Sequence, residues 1–185
     1  LEGHDGRVCS VSVSANGDIV ASGSWDKSIV VWDVPKRTQR LELTGHRARM
    51  VVHLTPDGSR LLSGSWDGTL RFWDLVAGSC IAIMTPDCGK VTSVAISADS
   101  RIAACGCEDG TLHIWEPCTG QRLALLTGHT EQISCVALTP DGARALSGSW
   151  DRSIRLWDLE TMECLTTLEG HADYVLDVSI CADGT

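Results

Sequence analysis

The sequence predicts an all-β fold made of four copies of one four-stranded antiparallel unit. Two dipeptides recur along the chain at a nearly constant interval. Gly-His pairs occur at residues 3–4, 45–46, 128–129 and 170–171, and a Trp followed by Asp or Glu occurs at residues 32–33, 73–74, 115–116 and 157–158. The steps between these tryptophans are 41, 42 and 42 residues. A fixed interval of this length indicates that one supersecondary unit is copied along the chain.

The first repeat shows how the elements follow one another. Its predicted strands are residues 8–14, 19–24, 29–32 and 39–43. Turns at Asn16-Gly17 and Asp26-Lys27 separate the first three, and alternating segments bounded by such residues are the signature of β-hairpins. Later repeats place comparable turns at residues 56–58, 67–68, 99–100, 109–110 and 140–142. We find no segment with a helical period, so we predict an all-β chain.

A period of about forty residues with one Gly-His and one Trp-Asp is typical of a β-propeller blade. On these motifs the chain resembles the WD-repeat family over nearly its whole length. The resemblance implies four full repeats and the start of a fifth, at about residues 4–45, 46–86, 87–128, 129–170 and 171–185. Family members most often have seven or eight blades, which need on the order of 300 residues. We therefore expect a single segment, 1–185, that holds four blades and one strand of a seven- or eight-bladed ring.

Two other architectures remain open at this point. Four blades could close into a ring of unusual geometry, or two copies could pair into one eight-bladed ring and make the chain a homodimer. A propeller usually closes by letting a terminal strand complete the last blade, which hides the edges of the sheet.

Three repeats carry the same four residue types at matching positions. The sets are His4, Ser22, Asp26 and Trp32; His46, Ser63, Asp67 and Trp73; and His129, Ser147, Asp151 and Trp157. Ser, His and Asp together suggest a serine hydrolase, because an imidazole can activate a hydroxyl. An enzyme needs one such site beside an oxyanion hole, whereas this set occurs three times at a fixed period. The family resemblance implies instead a structural tetrad in each blade, so we predict no catalytic residue and no enzyme.

The third repeat departs from this pattern. Asp87 stands at the position of the histidine and Cys105 at that of the serine, while Asp109 and Trp115 remain. We expect this degenerate tetrad to leave a blade that folds through apolar packing and is the least rigid of the four. Neutral drift or adaptation to a partner would each account for the change, and we favour drift.

The chain has nine cysteines, which is an odd number, and most of them occupy apolar strand positions. Buried free thiols in a reducing compartment therefore fit better than a disulfide framework. Cys88, Cys105 and Cys107 suggest a metal site, but no second Cys or His pair has the usual spacing. His53 and His113 sit in strand positions, where we expect a satisfied or solvent-facing imidazole. We predict no metal, no cofactor and a cytoplasmic location, with the nucleus as the alternative.

Composition and charge exclude some partners. The chain is 43% hydrophobic, which suffices for a core, and we find no apolar run near the roughly 18 residues that span a bilayer. A formal net charge of −9 argues against nucleic acid, because phosphate contacts need clustered Lys and Arg. We therefore predict no membrane partner and keep an RNA-binding propeller only as an alternative.

The family resemblance places partner binding on the narrow top face of the ring. Three positions of each blade meet there: the residue before the turn Asp, and the residues three and five after the His. The first two sets are Trp25, Trp66, Glu108 and Trp150, and Arg7, Arg49, Lys90, Gln132 and Tyr174. The third set is Cys9, Val51, Thr92, Ser134 and Leu176. Three indoles interleaved with three cations predict a surface for an acidic, aromatic or phosphorylated peptide, because Arg supplies bidentate bonds and Trp supplies stacking area. The alternative is that duplicated repeats share Ser-Trp-Asp by descent and each Trp packs over the neighbouring blade.

The function that follows from this resemblance is a non-enzymatic scaffold for protein–protein interaction. We expect a rigid propeller that binds proteins or peptides mainly on its top face, within a larger multidomain signalling or regulatory protein. A Ser/His/Asp hydrolase and an RNA-binding propeller are the alternatives.

Overall fold

The computed structural model describes residues 2–181, and the regular elements in that range are all β-strands. They form four separate sheets of four strands, each antiparallel and in chain order. The prediction of an all-β chain of four-stranded blades is thereby confirmed. Within residues 2–181, no helix is long and apolar enough to cross a membrane.

Each sheet is one blade of consecutive strands. Blade 1 consists of β1 (Val8–Val13), β2 (Ile19–Ser24), β3 (Ser28–Asp33) and β4 (Thr38–Thr44). Blade 2 consists of β5 (Met50–Leu54), β6 (Arg60–Ser65), β7 (Leu70–Asp74) and β8 (Ser79–Met84). Blade 3 consists of β9 (Val91–Ile96), β10 (Ala103–Cys107), β11 (Leu112–Glu116) and β12 (Gln121–Leu126). Blade 4 consists of β13 (Ile133–Leu138), β14 (Arg144–Ser149), β15 (Ile154–Asp158) and β16 (Glu163–Leu168).

The first strands of successive blades lie side by side and are joined by side chain–backbone hydrogen bonds. The Val52 amide donates to Ser10 Oγ at 3.0 Å, and the Val136 amide donates to Ser93 Oγ at 3.0 Å. Between blades 2 and 3 the acceptor is an imidazole, since the Ile96 amide donates to His53 Nδ1 at 3.1 Å. The strand histidine His53 therefore has a structural partner, and burial lowers its pKa.

The apolar core lies between blades rather than inside one sheet. One buried cluster joins Ile29 and Val31 of blade 1 to Leu61 and Trp73 of blade 2, and similar clusters join blade 2 to blade 3 and blade 3 to blade 4. Burial of apolar surface at about 25 cal/mol per Å² makes these clusters the main source of stability. Each blade therefore depends on its neighbour.

Blade 1 shows what an uncovered first strand looks like. Val11 is 62% exposed, whereas Val52, Val94 and Val136 at the same position of the next blades are 6%, 8% and 9% exposed. In blades 2 to 4 the preceding blade covers this position. Within residues 2–181, no blade precedes β1.

Residues 171–181 follow the last blade along the path of a further first strand. The Val175 amide donates to the Ser149 carbonyl at 3.1 Å, and the Val175 carbonyl accepts from Ser134 Oγ. This segment is not a strand in the structure, because each first strand pairs with the second strand of its own blade. Residues 182–185, in the predicted turn of the fifth repeat, lie outside the described residues.

Candidate functional site

The structure brings His, Ser, Asp and Trp together in blades 1, 2 and 4. In blade 2, His46 Nδ1 lies 3.1 Å from Asp67 Oδ2, and His46 Nε2 lies 2.8 Å from Ser63 Oγ. The indole Nε1 of Trp73 donates to the same Ser63 oxygen at 2.8 Å. The corresponding distances are 2.9, 2.8 and 2.9 Å in blade 1 and 2.8, 2.8 and 2.8 Å in blade 4.

Each tetrad aspartate also ties the loop before the first strand to the hairpin after the second. In blade 2 one Asp67 oxygen accepts from the Thr69 amide at 3.0 Å, and the other accepts from the Arg47 amide at 2.7 Å. Burial opposes ionisation of Asp67, but its hydrogen bonds outweigh burial and lower its pKa to about 2. Asp67 is therefore a carboxylate at neutral pH, and its two oxygens connect the loop before β5 with the turn between β6 and β7.

Two of the tetrad histidines, His46 and His129, are neutral at pH 7. Burial lowers the pKa of His46 more than the adjacent Asp67 raises it, and the same balance holds for His129 beside Asp151. A neutral ring that donates from Nδ1 to the aspartate accepts at Nε2 from the serine hydroxyl. The serine oxygen is then the acceptor that remains for the indole N–H, so every polar group of the tetrad has a partner.

The connections from Ser to His to Asp match those of a catalytic triad, but the surroundings differ. Ser63 and Ser147 are fully buried, and each of their oxygens already accepts an indole N–H. A nucleophilic serine needs access to a substrate carbonyl and an oxyanion hole. These two serines have no such access, and the arrangement serves to hold each blade's loop.

Blade 3 lacks this network because its loop follows another path. Gly45 and Gly128, before the tetrad histidines of blades 2 and 4, have φ of 141° and 155°, whereas blade 3 has Pro86 there, and proline keeps φ near −65°. Asp87, which stands at the histidine position of the repeat, adopts φ of 58° and is exposed. Among the described residues, no hydrogen bond joins Asp87 to Asp109.

A different histidine brings an imidazole to blade 3. His113 on β11 is 2% exposed, and its Nε2 lies 3.0 Å from Thr111 Oγ1. In blade 2 the equivalent hydroxyl of Thr69 lies 3.2 Å from Nδ1 of the loop histidine His46. Sequence comparison missed this substitution, because the position of His113 is occupied by arginine in blades 2 and 4.

Two cysteines hold the blade 3 loop covalently. Cys88 and Cys107 form a disulfide with a Cα–Cα distance of 5.9 Å, so the expectation that the thiols are free was wrong for this pair. Register explains the pairing: Cys107 ends β10 opposite Val91 of β9, and Cys88 lies just before that strand. The other seven cysteines are free. Burial raises the pKa of the Cys105 thiol, at the serine position, to about 12.

The top face carries one compact group of aromatic and charged residues across blades 1 to 3. The Trp25 and Trp66 ring centroids are 6.5 Å apart, and the Arg49 guanidinium carbon lies 3.9 Å from the Trp66 centroid and 5.8 Å from that of Trp25. Lys90 Nζ lies 5.0 Å from the Trp66 centroid and 2.5 Å from Glu108 Oε1. We call these five residues the indole–cation cluster.

Three of the remaining predicted top-face residues, Trp150, Tyr174 and Gln132, form a second group. Trp150 and Tyr174 stack with centroids 4.9 Å apart and ring planes at 13°, and the Trp150 amide donates to the Gln132 carbonyl at 3.0 Å. Arg7 is exposed and lies beside the first group, since its carbonyl accepts from the Trp25 amide at 2.9 Å. Within residues 2–181 no aromatic or cation–π contact joins the two groups, so the nine residues form two contact groups.

Four four-stranded blades, three of them closed by a His-Ser-Asp-Trp network, define a WD-repeat β-propeller, which confirms the resemblance seen in the motifs. The chain belongs to the IFT122 first beta-propeller family, whose model matches residues 1–185.

Shorter similarities connect the chain to other WD-repeat proteins. It is 45% identical over 42 residues to a Periodic tryptophan protein 2 homolog of Schizosaccharomyces pombe, covering 23% of this chain and 5% of that protein. It is 36% identical over 59 residues to Periodic tryptophan protein 2 of Saccharomyces cerevisiae, covering 31% and 6%. It is 41% identical over 61 residues to the small ribosomal subunit protein RACK1y of Oryza sativa subsp. japonica, covering 31% and 18%. The matched segments thus span less than a fifth of each relative's length. WD-repeat propellers in general are non-enzymatic interaction scaffolds.

Proposed function

We propose that this chain is a non-enzymatic scaffold that binds acidic or phosphorylated peptide segments of other proteins on its top face. The observation that carries the proposal is the Arg49 guanidinium, 3.9 Å from the Trp66 ring centroid and in contact with Trp25. Indoles on neighbouring blades restrict the guanidinium, so fewer of its side-chain conformations are lost when a ligand binds. Aromatic and arginine side chains dominate the energetics of protein interfaces.

The charges of the cluster favour an anionic ligand. Lys90 and Glu108 form an ion pair in which both side chains are more than 40% exposed, and such pairs contribute roughly 0–1 kcal/mol. A phosphate or carboxylate that approaches Arg49 can therefore replace Glu108 as the ion-pair partner of Lys90 at little cost in free energy. The exposed parts of Trp25 and Trp66, 49% and 38%, supply stacking area for an aromatic residue beside the acidic group.

The two alternatives are less well supported. A hydrolase would have to expose a tetrad serine, and labelling of Ser22, Ser63 or Ser147 by a serine-reactive probe in folded protein would support it. RNA binding would rest on Arg7, Arg49 and Lys90 in a chain with a net charge of −9. Because phosphate contacts dominate nucleic-acid affinity, three cations supply a weak site.

We also propose that the scaffold works inside a larger assembly, in the cytoplasm or alternatively in the nucleus. The rice relative is by name a protein of the small ribosomal subunit, which supports a role as one component of an assembly. The uncovered Val8, Val11 and Val13 of β1 support a ring with further blades, and a second copy is the alternative occupant. A sedimentation measurement that gives a compact dimer of this chain would favour the second copy.

The test of the binding surface uses matched peptides. Immobilised peptides with phosphoserine, aspartate or serine at one position are probed with wild-type, Arg49→Ala and Trp66→Ala protein. We expect the phosphorylated and acidic forms to bind in a salt-sensitive manner, and Arg49→Ala to weaken binding by about 30-fold, as for a hot-spot arginine.

The control is Arg60→Ala, which removes a partly exposed arginine paired with Asp74 at 2.8 Å, outside the cluster. This variant should bind as the wild type does. Equal binding by Arg49→Ala, Trp66→Ala and wild type would show that the cluster is structural packing between blades, and the proposal would be wrong.

A further inference from the structure

Blade 3 has two thiol groups and an imidazole where the other blades have a tetrad. We propose that Cys88, Cys107 and His113 form a binding site for a thiophilic transition metal such as Zn²⁺, which becomes available when the Cys88–Cys107 disulfide is reduced. The two sulfur atoms and one ring nitrogen of His113 all lie within 4.8 Å of one another, and all three residues are buried. Sulfur and imidazole nitrogen are the ligands that zinc prefers in proteins.

The hydrogen bonds of His113 leave one nitrogen free for a metal. The hydroxyl of Thr111 donates to Asp109 Oδ1 at 2.6 Å, so its oxygen accepts from His113 Nε2–H at 3.0 Å. Nδ1 then carries the lone pair, and among the described residues it is buried without a hydrogen-bond partner. Metal-binding histidines are oriented in this way, with the second ring nitrogen donating to a fixed acceptor.

Three adjacent segments of one sheet hold the proposed ligands. Cys107 is the last residue of β10, His113 lies on the paired strand β11, and Cys88 lies three residues before Val91 of β9. Three protein ligands leave the fourth position of a tetrahedral zinc site to water or to a partner's side chain. Cys107 also occupies the position at which blades 2 and 4 have Ser65 and Ser149, so the cluster is specific to blade 3.

The disulfide and the metal site exclude each other. In the structure the two sulfurs are bonded to one another. A thiol reductant supplies two electrons and two protons, the S–S bond breaks, and Cys88 and Cys107 become thiols. Zn²⁺ then binds both sulfurs as thiolates and releases the two protons, while the Nδ1 lone pair of His113 supplies the third bond without a proton change.

Co²⁺ is the probe for the test, because thiolate ligands give it a charge-transfer absorption that Zn²⁺ abolishes on displacement. We expect reduced protein to bind one Co²⁺ with this absorption and oxidised protein to show none. The variants use residues that other blades carry at the same positions: Cys107→Ser as in blades 2 and 4, and His113→Val as in blade 1. Cys107→Ser should abolish the absorption, and His113→Val should weaken Co²⁺ binding by at least about 10-fold.

Cys118→Ser and Cys164→Ser are the controls, because both thiols are exposed and free, and both variants should bind Co²⁺ as the wild type does. If the reduced wild type shows no thiolate absorption, the two cysteines serve only as a disulfide and the proposed metal site is wrong. If Cys107→Ser leaves the absorption unchanged, Co²⁺ binds other thiols and the proposed metal site is again wrong. If His113→Val binds Co²⁺ with unchanged affinity, the imidazole is not a ligand and the proposed three-ligand site is wrong. Far-UV circular dichroism verifies that each variant is folded, and His113→Val retains both cysteines should Cys107→Ser fail to fold.

Discussion

Blades 2 and 3 hold the loop before their first strand by different chemistry. In blade 2 the His46 ring bridges Asp67 and Ser63, and the next amide of the loop donates to Asp67. In blade 3 the turn aspartate Asp109 keeps its bonds to Thr111, and the Cys88–Cys107 disulfide ties the loop to the sheet. One blade thus relies on a network of polar side chains and the other on a covalent bond.

The two sheets nevertheless have the same strand order and antiparallel pairing. Both are filled by fully buried apolar side chains, Phe72 in blade 2 and Ile114 in blade 3. The comparison therefore teaches that apolar packing between blades makes the fold. The tetrad positions the loops that carry the top-face residues, such as Arg49.

The largest effect should come from Ser63→Ala in blade 2. This change leaves the Trp73 indole N–H and His46 Nε2 buried without their shared partner. Each buried group left unsatisfied costs roughly 1–3 kcal/mol, so the free energy of unfolding should fall by about 4 kcal/mol. Urea unfolding followed by circular dichroism measures the change.

The matched variant in blade 3 is Cys105→Ala. The thiol there is buried, but Trp115 Nε1 already has no hydrogen-bond partner within the described residues. Only a small cavity is created, and we expect a loss of about 1 kcal/mol. A loss for Ser63→Ala no greater than that for Cys105→Ala would contradict the division between polar and covalent anchoring.

Acid should lower the free energy of unfolding through the tetrads of blades 2 and 4. The pKa values of His46 and His129 are lowered by burial, so the unfolded chain binds more protons than the folded chain as the pH falls below about 6.5. The free energy of unfolding should therefore fall from about pH 7 to pH 5. Below about pH 4 it should fall again, because Asp67 and Asp151 have pKa values lowered to about 2.

Urea titrations at several pH values measure this dependence. His46→Gln should make the decrease between about pH 7 and pH 5 shallower, because one buried neutral imidazole is removed. The control is His171→Gln, which changes an exposed histidine after the last strand and should leave the slope unchanged. A stability that rises on acidification would contradict the neutral, buried state of His46 and His129.

The blades were predictable from the sequence because Gly-His and Trp-Asp mark turns and strand ends at a fixed period. The chemistry of blade 3 was not, because it depends on register. Cys88 and Cys107 are 19 residues apart and meet only because β9 pairs with β10, and His113 joins them from a third segment. The top-face positions followed from the family resemblance, but the contact of Arg49 with Trp25 crosses a blade boundary and depends on blade packing.

An effect of the same small size as that of Cys105→Ala but of opposite sign should come from Cys105→Ser, which gives blade 3 the residue of the other tetrads. The new hydroxyl oxygen would lie where Ser63 accepts the indole N–H of Trp73, so it should accept the unpartnered Trp115 Nε1–H. Its own hydrogen can donate to the His113 carbonyl, because Ser63 Oγ lies 3.4 Å from the equivalent Arg71 carbonyl and blade 3 has no tetrad histidine to compete for it.

Because one buried donor gains a partner, the free energy of unfolding should rise by about 1 kcal/mol relative to wild type. The measurement is made with the Cys88–Cys107 disulfide intact, so that loop anchoring is the same in both proteins. A decrease as large as that of Cys105→Ala would show that the hydroxyl is not satisfied in this blade. The missing indole partner would then be a consequence of the altered loop, which Pro86 directs along its different path, rather than of the cysteine alone.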